Sequence, residues 1–288
     1  MCQFKSALVT KQGDVLHSWG SQSHEDLVDY FNLHDSKKLN QFVRIEYVPK
    51  GNIADVDSYT LHVDEEEVPD WFDEKMKEKV EKKMRRIIKK MIVTDERKLL
   101  MCGEYILVGS AKIQNVSQCI IHSIQNNATI QNVWNNATIE NVQENATIEN
   151  VQDNATIRNV CDNATIENVY DNATIRYVRD SATIQDVCGN ATIENVQDNA
   201  TIRNVYDNAT IRYVRDNATI RNVCDNATIE NVCSNATIGN VCSNATIKDV
   251  RNNATIRNVC DNATIENVYN NATIENVCSN ATILNDYR

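Results

Sequence analysis

Apolar residues fall into a strict rhythm over the C-terminal part of this chain. From residue 127 to residue 288 the unit Asn-Ala-Thr-Ile-x-Asn-Val-x-x recurs eighteen times, as in residues 136–144 (NATIENVQE) and 154–162 (NATIRNVCD). A helix cannot carry this pattern, because nine residues make about 2.5 turns and the apolar face would reverse with every unit. Thr, Ile, Val and Asn are also weak helix formers. A straight strand fails as well: side chains alternate with period two, and nine is odd. The chain therefore bends at least once per unit, at the Asn-rich positions before the Ala and before the Val, where corners are tolerated. These constraints predict a β-solenoid. Ala and Ile point inward, Thr and the variable residue outward, and Val points inward again after a corner. One unit buries too little apolar surface to fold alone, so stability comes from stacking.

The variable columns set the number of units per coil. At a step of two units, Cys224, Cys242, Cys260 and Cys278 share one column, while Arg179, Arg215 and Arg251 share the other, recurring every fourth unit. A step of three units scatters both sets. Two units per coil are expected, giving nine regular coils and a rod of roughly 43 Å at ~4.8 Å per strand. The last unit places Asp286 where every earlier unit has Val, a charge that would blunt a sheet edge.

The pattern before the repeat is mixed. Residues 2–10 read as a strand, 11–14 as a turn and 15–19 as its returning partner. Ser23 followed by Asp26 starts a short helix with Leu27, Val28 and Phe31 on one side. Residues 41–48 alternate, with Val43, Ile45 and Tyr47 on one face, and 58–63 form a further strand. A long helix over about 69–92, opened by Pro69, has Phe72, Met76, Val80, Met84 and Met91 at spacings of three and four. Its other face is basic, with Lys82, Lys83, Arg85 and Arg86 at its centre. Degenerate repeats then appear at 111–116 and 119–124, as adapted end repeats do. The expected fold is mainly β: a small α+β capping domain over 1–108, then a β-solenoid over 109–288.

Composition adds the electrostatics. The net charge is −11; residues 113–288 carry 20 Asp and Glu against 11 Lys and Arg, or −9, leaving −2 for the rest. An acidic rod repels nucleic acid and anionic surfaces. Nucleic acid is thus not an expected partner, except through the basic face of 75–91. That face is more readily a solvated helix surface than a binding one. No apolar run reaches the length of a spanning helix, and the first residues lack the order of a secretory signal. A cytoplasmic location is expected, with the ten cysteines as thiols rather than a disulfide framework. The seventeen Asn-Ala-Thr triplets are then glycosylation acceptors in form only.

The columns also suggest chemistry. Asp162, Asp180, Asp198 and Asp216 stack at the same two-unit step and could attract a cation, although four solvated turn residues suffice to explain them. The cysteine column could hold a soft metal, or could be half-buried small apolar residues. One Thr per unit beside a charged position makes a poor ice-binding array. The −9 is too sparse for more than a minor role as a DNA mimic. The single catalytic candidate is Cys2, an N-terminal nucleophile if Met1 is removed; no histidine stands at a supporting spacing. No cofactor is expected.

The unit resembles the nonapeptide-repeat β-solenoids, and the whole chain is similar to bacterial and phage-type proteins that join a short N-terminal domain to such repeats. The resemblance covers the regular repeats, 127–288, and implies no activity. It excludes the calcium-binding nonapeptide, whose glycines are missing: the repeats hold only Gly189 and Gly239. The function expected is that of a non-catalytic scaffold. Its residue ladders, Arg179, Arg215 and Arg251 foremost, would bind a protein partner or a second copy of the chain.

Overall fold

A computed structural model describes residues 4–21, 23–34 and 41–288. They divide into two compact units, one of residues 1–93 with 103–106, the other of 94–102 with 107–288.

In the first unit, β1 (Lys5–Thr10), β2 (Val15–Leu16), β3 (Phe42–Pro49) and β4 (Tyr59–Val63) form an antiparallel sheet in the order β2-β1-β3-β4. The β1–β2 turn uses Gly13 at φ +80°, where a side chain would be strained. β1 does not alternate, because both its faces are covered. Leu8 meets Phe42 and the Leu27 and Val28 of α1 (His24–Tyr30). Lys5, Ala7 and Val9 stand in register with Tyr47, Ile45 and Val43 on the other face. Ser23 caps α1, its side chain accepting from the Asp26 N–H.

The long helix, α2, spans Glu74–Met91 and so begins later than Pro69. Asp73 is the residue with an extended backbone and a side chain that accepts from Met76 N–H at 2.8 Å. Residues 69–72 only close a turn, Phe72 N–H to Pro69 O. Proline fits a first helical turn, yet a helix starts where the first orphan N–H groups find an acceptor. Val80, Met84, Ile88 and Met91 are buried.

In the second unit the strands sort into two parallel sheets. One holds eleven strands, from Glu96–Met101 and Lys112–Ser117 through Thr129–Trp134 to Thr273–Val277; the other runs through Ile120–Ile124 and Thr138–Val142 to Thr282–Tyr287. Within the regular repeats each strand pairs with those two units before and after it, Ile148 with Ile130 and Ile166, for example. This is a β-solenoid of about eleven turns, with strands paired 18 residues apart through the regular part. It starts before the recognisable repeat, since Glu96–Met101 already pairs with Lys112–Ser117.

Each regular unit is one short strand and one corner. Ala, Ile and Val of nearly every unit are fully buried, so a coil contributes six apolar side chains to the core. Ile and Val lie three apart, which a flat strand would put on opposite faces. The expected corner before the Val is instead a break in the ladder inside a continuous strand. Pairing runs Thr147 to Thr165, Ile148 to Ile166, Asn150 to Asn168 and Val151 to Val169, and it skips the variable residue between Ile and Asn. The repeated Asn repairs that break. Its Nδ2 reaches the carbonyl of the skipped residue one coil before, as from Asn168 to Glu149 O at 3.4 Å, and donates to the previous Asn, as from Asn168 to Asn150 Oδ1 at 3.0 Å.

The true corner is the four residues from the one after Val to the next Ala. It is closed by an Ala N–H to that first residue's carbonyl, Ala146 to Gln143 at 3.2 Å. Its second residue sits in the left-handed region: Asp153 at φ 55°, Asp171 at 56°, Asp207 at 58°. That conformation costs most residues about 1–2 kcal/mol and Asn, Asp or Gly less, which accounts for the letters found there. In four later corners the following Asn is left-handed too, at Asn217, Asn235, Asn253 and Asn262. The bonding of that Asn changes with it. Asn199 N–H reaches back to Asp180 O, whereas Asn217 N–H reaches forward to Ser234 O.

Candidate interaction surfaces

The Arg column is built by the corners of one sheet. Arg179, Arg215 and Arg251 each follow the buried Val of their strand, and their own N–H groups bond to Val160, Val196 and Val232 O, which fixes them in one row. Their side chains behave differently. Arg179 is exposed; Arg215 Nη2 donates to Gln197 Oε1 at 2.7 Å; Arg251 Nη2 donates to Asn231 Oδ1. Arg251 thereby takes the donor place that Asp249, an acceptor alone, cannot fill in the Asn ladder.

Two residues beside this column carry a signal that sequence reading passed over. Tyr177 and Tyr213 stand in the Asn column of the same sheet, in register with Asn195 and with Asn195 and Asn231, respectively. They are 40% and 42% exposed. Each interrupts the ladder: among the described residues the Asn195 side-chain amide bonds only to Arg176 O, at 3.5 Å. With exposed Arg176 and Arg212 they give the same surface group twice, Arg176-Tyr177-Arg179 and Arg212-Tyr213-Arg215, two coils apart. The clue was available as the loss of an Asn that elsewhere in the regular repeats gives way only to Asp. On coils nearby the variable column pairs opposite charges, Arg158 with Glu140 at 3.1 Å and Lys248 with Glu230 at 3.5 Å.

In the acidic corner column one carboxylate, Asp162, ties its corner to the one before. Asp162, Asp180, Asp198 and Asp216 are all left-handed corner residues. Asp162 Oδ2 accepts the N–H of Glu144, the corner one coil earlier, at 3.2 Å. Asp153 and Asp207 do the same for Asn135 and Gly189 at 3.0 and 3.1 Å. Asp198 accepts from Gln197, and Asp216 faces Arg215 at 3.7 Å. Cys161, Asp162 and Asp180 together bring a sulfur and two carboxylates within 4.8 Å. Burial raises the Cys161 thiol to about 11, so the sulfur presents itself as a thiol.

The cations of α2 divide between the unit's interior contacts and solvent. Lys83 Nζ donates to Gly13 O at 2.8 Å and Arg85 pairs with Asp57; Lys82 and Arg86 are exposed. Half of the central basic face thus contacts the β1–β2 turn and the short turn at residues 56–58. Elsewhere in this unit, His24, Glu46 and Asp64 gather three possible ligand atoms within 4.8 Å. His24 Nε2 donates to Ile45 O at 3.0 Å and Nδ1 faces Asp64 at 3.1 Å, which ties the start of α1 to β3.

Lys5 is a deeply buried charge. It is 1% exposed, donates to Ser18 O and to Glu104 at 2.8 Å, and lies 5.0 Å from the Trp19 ring centre. Burial lowers its pKa against the raising effect of Glu104. Cys2 lies outside the described residues. In the sulfur column, Cys224 and Cys242 approach to 2.7 Å between sulfurs, as do Cys260 and Cys278. No helix among the described residues is long and apolar enough to cross a membrane. Comparison with protein-family models, with curated proteins and with solved structures finds no match.

Proposed function

We propose that this chain is a non-catalytic binding scaffold, in which a nonapeptide-repeat solenoid displays one decorated sheet to an acidic protein surface. The observation that carries the reading is the twice-repeated Arg-Tyr-Arg group. Both tyrosines stand where Asn would complete a stabilising ladder. Tyrosine and arginine are the residue types that dominate binding energy at interfaces. A rigid coil sets the two groups about 9.6 Å apart, twice the strand spacing, so a partner with two matching sites would bind with no backbone left to order. A second copy of the chain is the other occupant of the required charge, since its corners are rich in Asp. The exposed Lys82 and Arg86 of α2 are a subsidiary contact.

Charge-matched variants test this. Arg179→Glu/Arg215→Glu/Arg251→Glu reverses the decorated column; Arg203→Glu/Arg221→Glu/Arg257→Glu reverses three arginines of the other sheet. Captured proteins from the native host are compared by quantitative mass spectrometry, and self-association by sedimentation velocity. Loss of a defined partner or of a dimer in the first variant alone supports the proposal. Equal loss in both, or retention in both, refutes it.

A further inference from the structure

We infer that the sulfur column of the eleven-stranded sheet is an oxidisable site, in which Cys224–Cys242 and Cys260–Cys278 close as two disulfides between consecutive coils. The ladder fixes the spacing: Cys242, Cys260 and Cys278 N–H bond to Val223, Val241 and Val259 O at 2.8–2.9 Å. Consecutive cysteines are therefore one strand apart, about 4.8 Å, inside the roughly 4.4–6.8 Å that a disulfide requires between Cα atoms. The side chains have already turned toward each other in pairs. Sulfur–sulfur separations of 2.7 Å in both are closer than unbonded sulfurs rest, and about 0.65 Å longer than the ~2.05 Å bond. No such contact joins Cys242 to Cys260 among the described residues, so the column resolves into two dimers. Neither pair is sealed off: Cys224, Cys242 and Cys260 are half-buried and Cys278 is exposed.

A peroxide supplies the oxidant. One thiolate attacks a peroxide oxygen and releases water after protonation, leaving a sulfenic acid. The neighbouring thiol attacks that sulfur, and a second water leaves as the S–S bond forms. Two thiols and one hydrogen peroxide give one disulfide and two waters. Burial and the bond to Cys242 hold Cys224 up to about 12, and the bond to Cys278 holds Cys260 up to about 11. The thiolate fraction is accordingly small at neutral pH and the reaction slow, quickening as pH rises. The Cys260–Cys278 bridge would pin Thr273–Val277, a strand whose Val277 is 47% exposed.

Full-length protein is treated with hydrogen peroxide at pH 8, alkylated under denaturing conditions and weighed intact. Unreacted chain takes up ten labels, one per cysteine. The inference predicts four fewer labels, with a loss of four hydrogens and full recovery by a thiol reductant. Cys242→Ser/Cys278→Ser should lose none of these labels, and Cys278→Ser alone only two; circular dichroism verifies that each variant is folded. Oxygen gain without label pairing, chain-to-chain dimers, or the same loss in the double variant would overturn it.

Discussion

At the scale of single residues, the corners show why a few letters are fixed and others drift. A left-handed backbone is required at the second corner position, and the chain meets it with Asp, Asn, Ser, Glu or Gly. Replacing Asp198 by Val should therefore cost about 1–2 kcal/mol, read as a lowered denaturant midpoint, whereas Asp198→Gly should leave the midpoint nearly unchanged. Asp153, Asp162 and Asp207 accept backbone N–H groups of the neighbouring corner and need no cation to hold them, so calcium at millimolar levels should not shift the melting temperature. A shift of several degrees would contradict that role. Lys5 offers a harsher test. Breaking the buried pair in Lys5→Met should lower the denaturation midpoint, while Lys5→Met/Glu104→Leu should recover part of the loss. A double-mutant cycle by urea unfolding measures both. Thiol reactivity follows burial in the same way. Cys119, raised to about 12 by burial, should resist alkylation at pH 8 in the folded chain, and exposed Cys102 and Cys278 should react well before it.

At the scale of elements, the asparagine ladder explains how a unit with an odd period works. Ile and Val face the same core only because the variable residue is dropped from the pairing and the Asn amide covers its carbonyl. Asn222 sits mid-ladder, donating to Asn204 and accepting from Asn240 at 2.8 Å each. Asn222→Ala should cost about 1–2 kcal/mol. Asn222→Asp keeps the acceptor, as Asp186 does for Asn204, and should cost less. Tyr177→Asn/Tyr213→Asn should raise the denaturation midpoint by restoring the ladder while weakening partner capture. A midpoint that falls would show that the tyrosines are there for packing. The sequence made some of this legible and hid the rest. Period nine excludes helix and flat strand, and the Arg and Cys columns show two units per coil. The bend inside the strand was not legible, because Asn suits corners and ladders equally. Glu96–Met101 carries no repeat letters at all, since pairing needs backbone in register and not a particular side chain. Tyr177 and Tyr213 were visible as letters but not as gaps, because only three-dimensional stacking shows which bond they remove.

At the scale of the whole second unit, everything proposed rests on one step, the two repeats that return the chain to the same face. That step makes Arg179, Arg215 and Arg251 a row, puts Tyr177 above the same sheet as Tyr213, and brings Cys224 to Cys242. It also makes stability additive along the stack, so damage to one coil should be felt mainly by its neighbours. Pulsed spin-resonance distances measure it directly. Spin labels carried on encoded unnatural residues at Arg158, Glu230 and Glu266, all in one outward column, probe spans of four and six coils. The account predicts separations of about 19 Å for the pair 158/230 and about 29 Å for 158/266, in the ratio of four to six. Shorter separations of about 13 and 19 Å, as a three-repeat coil would give, or a broad spread without a peak, would contradict a two-repeat coil and remove the common face on which the binding proposal stands.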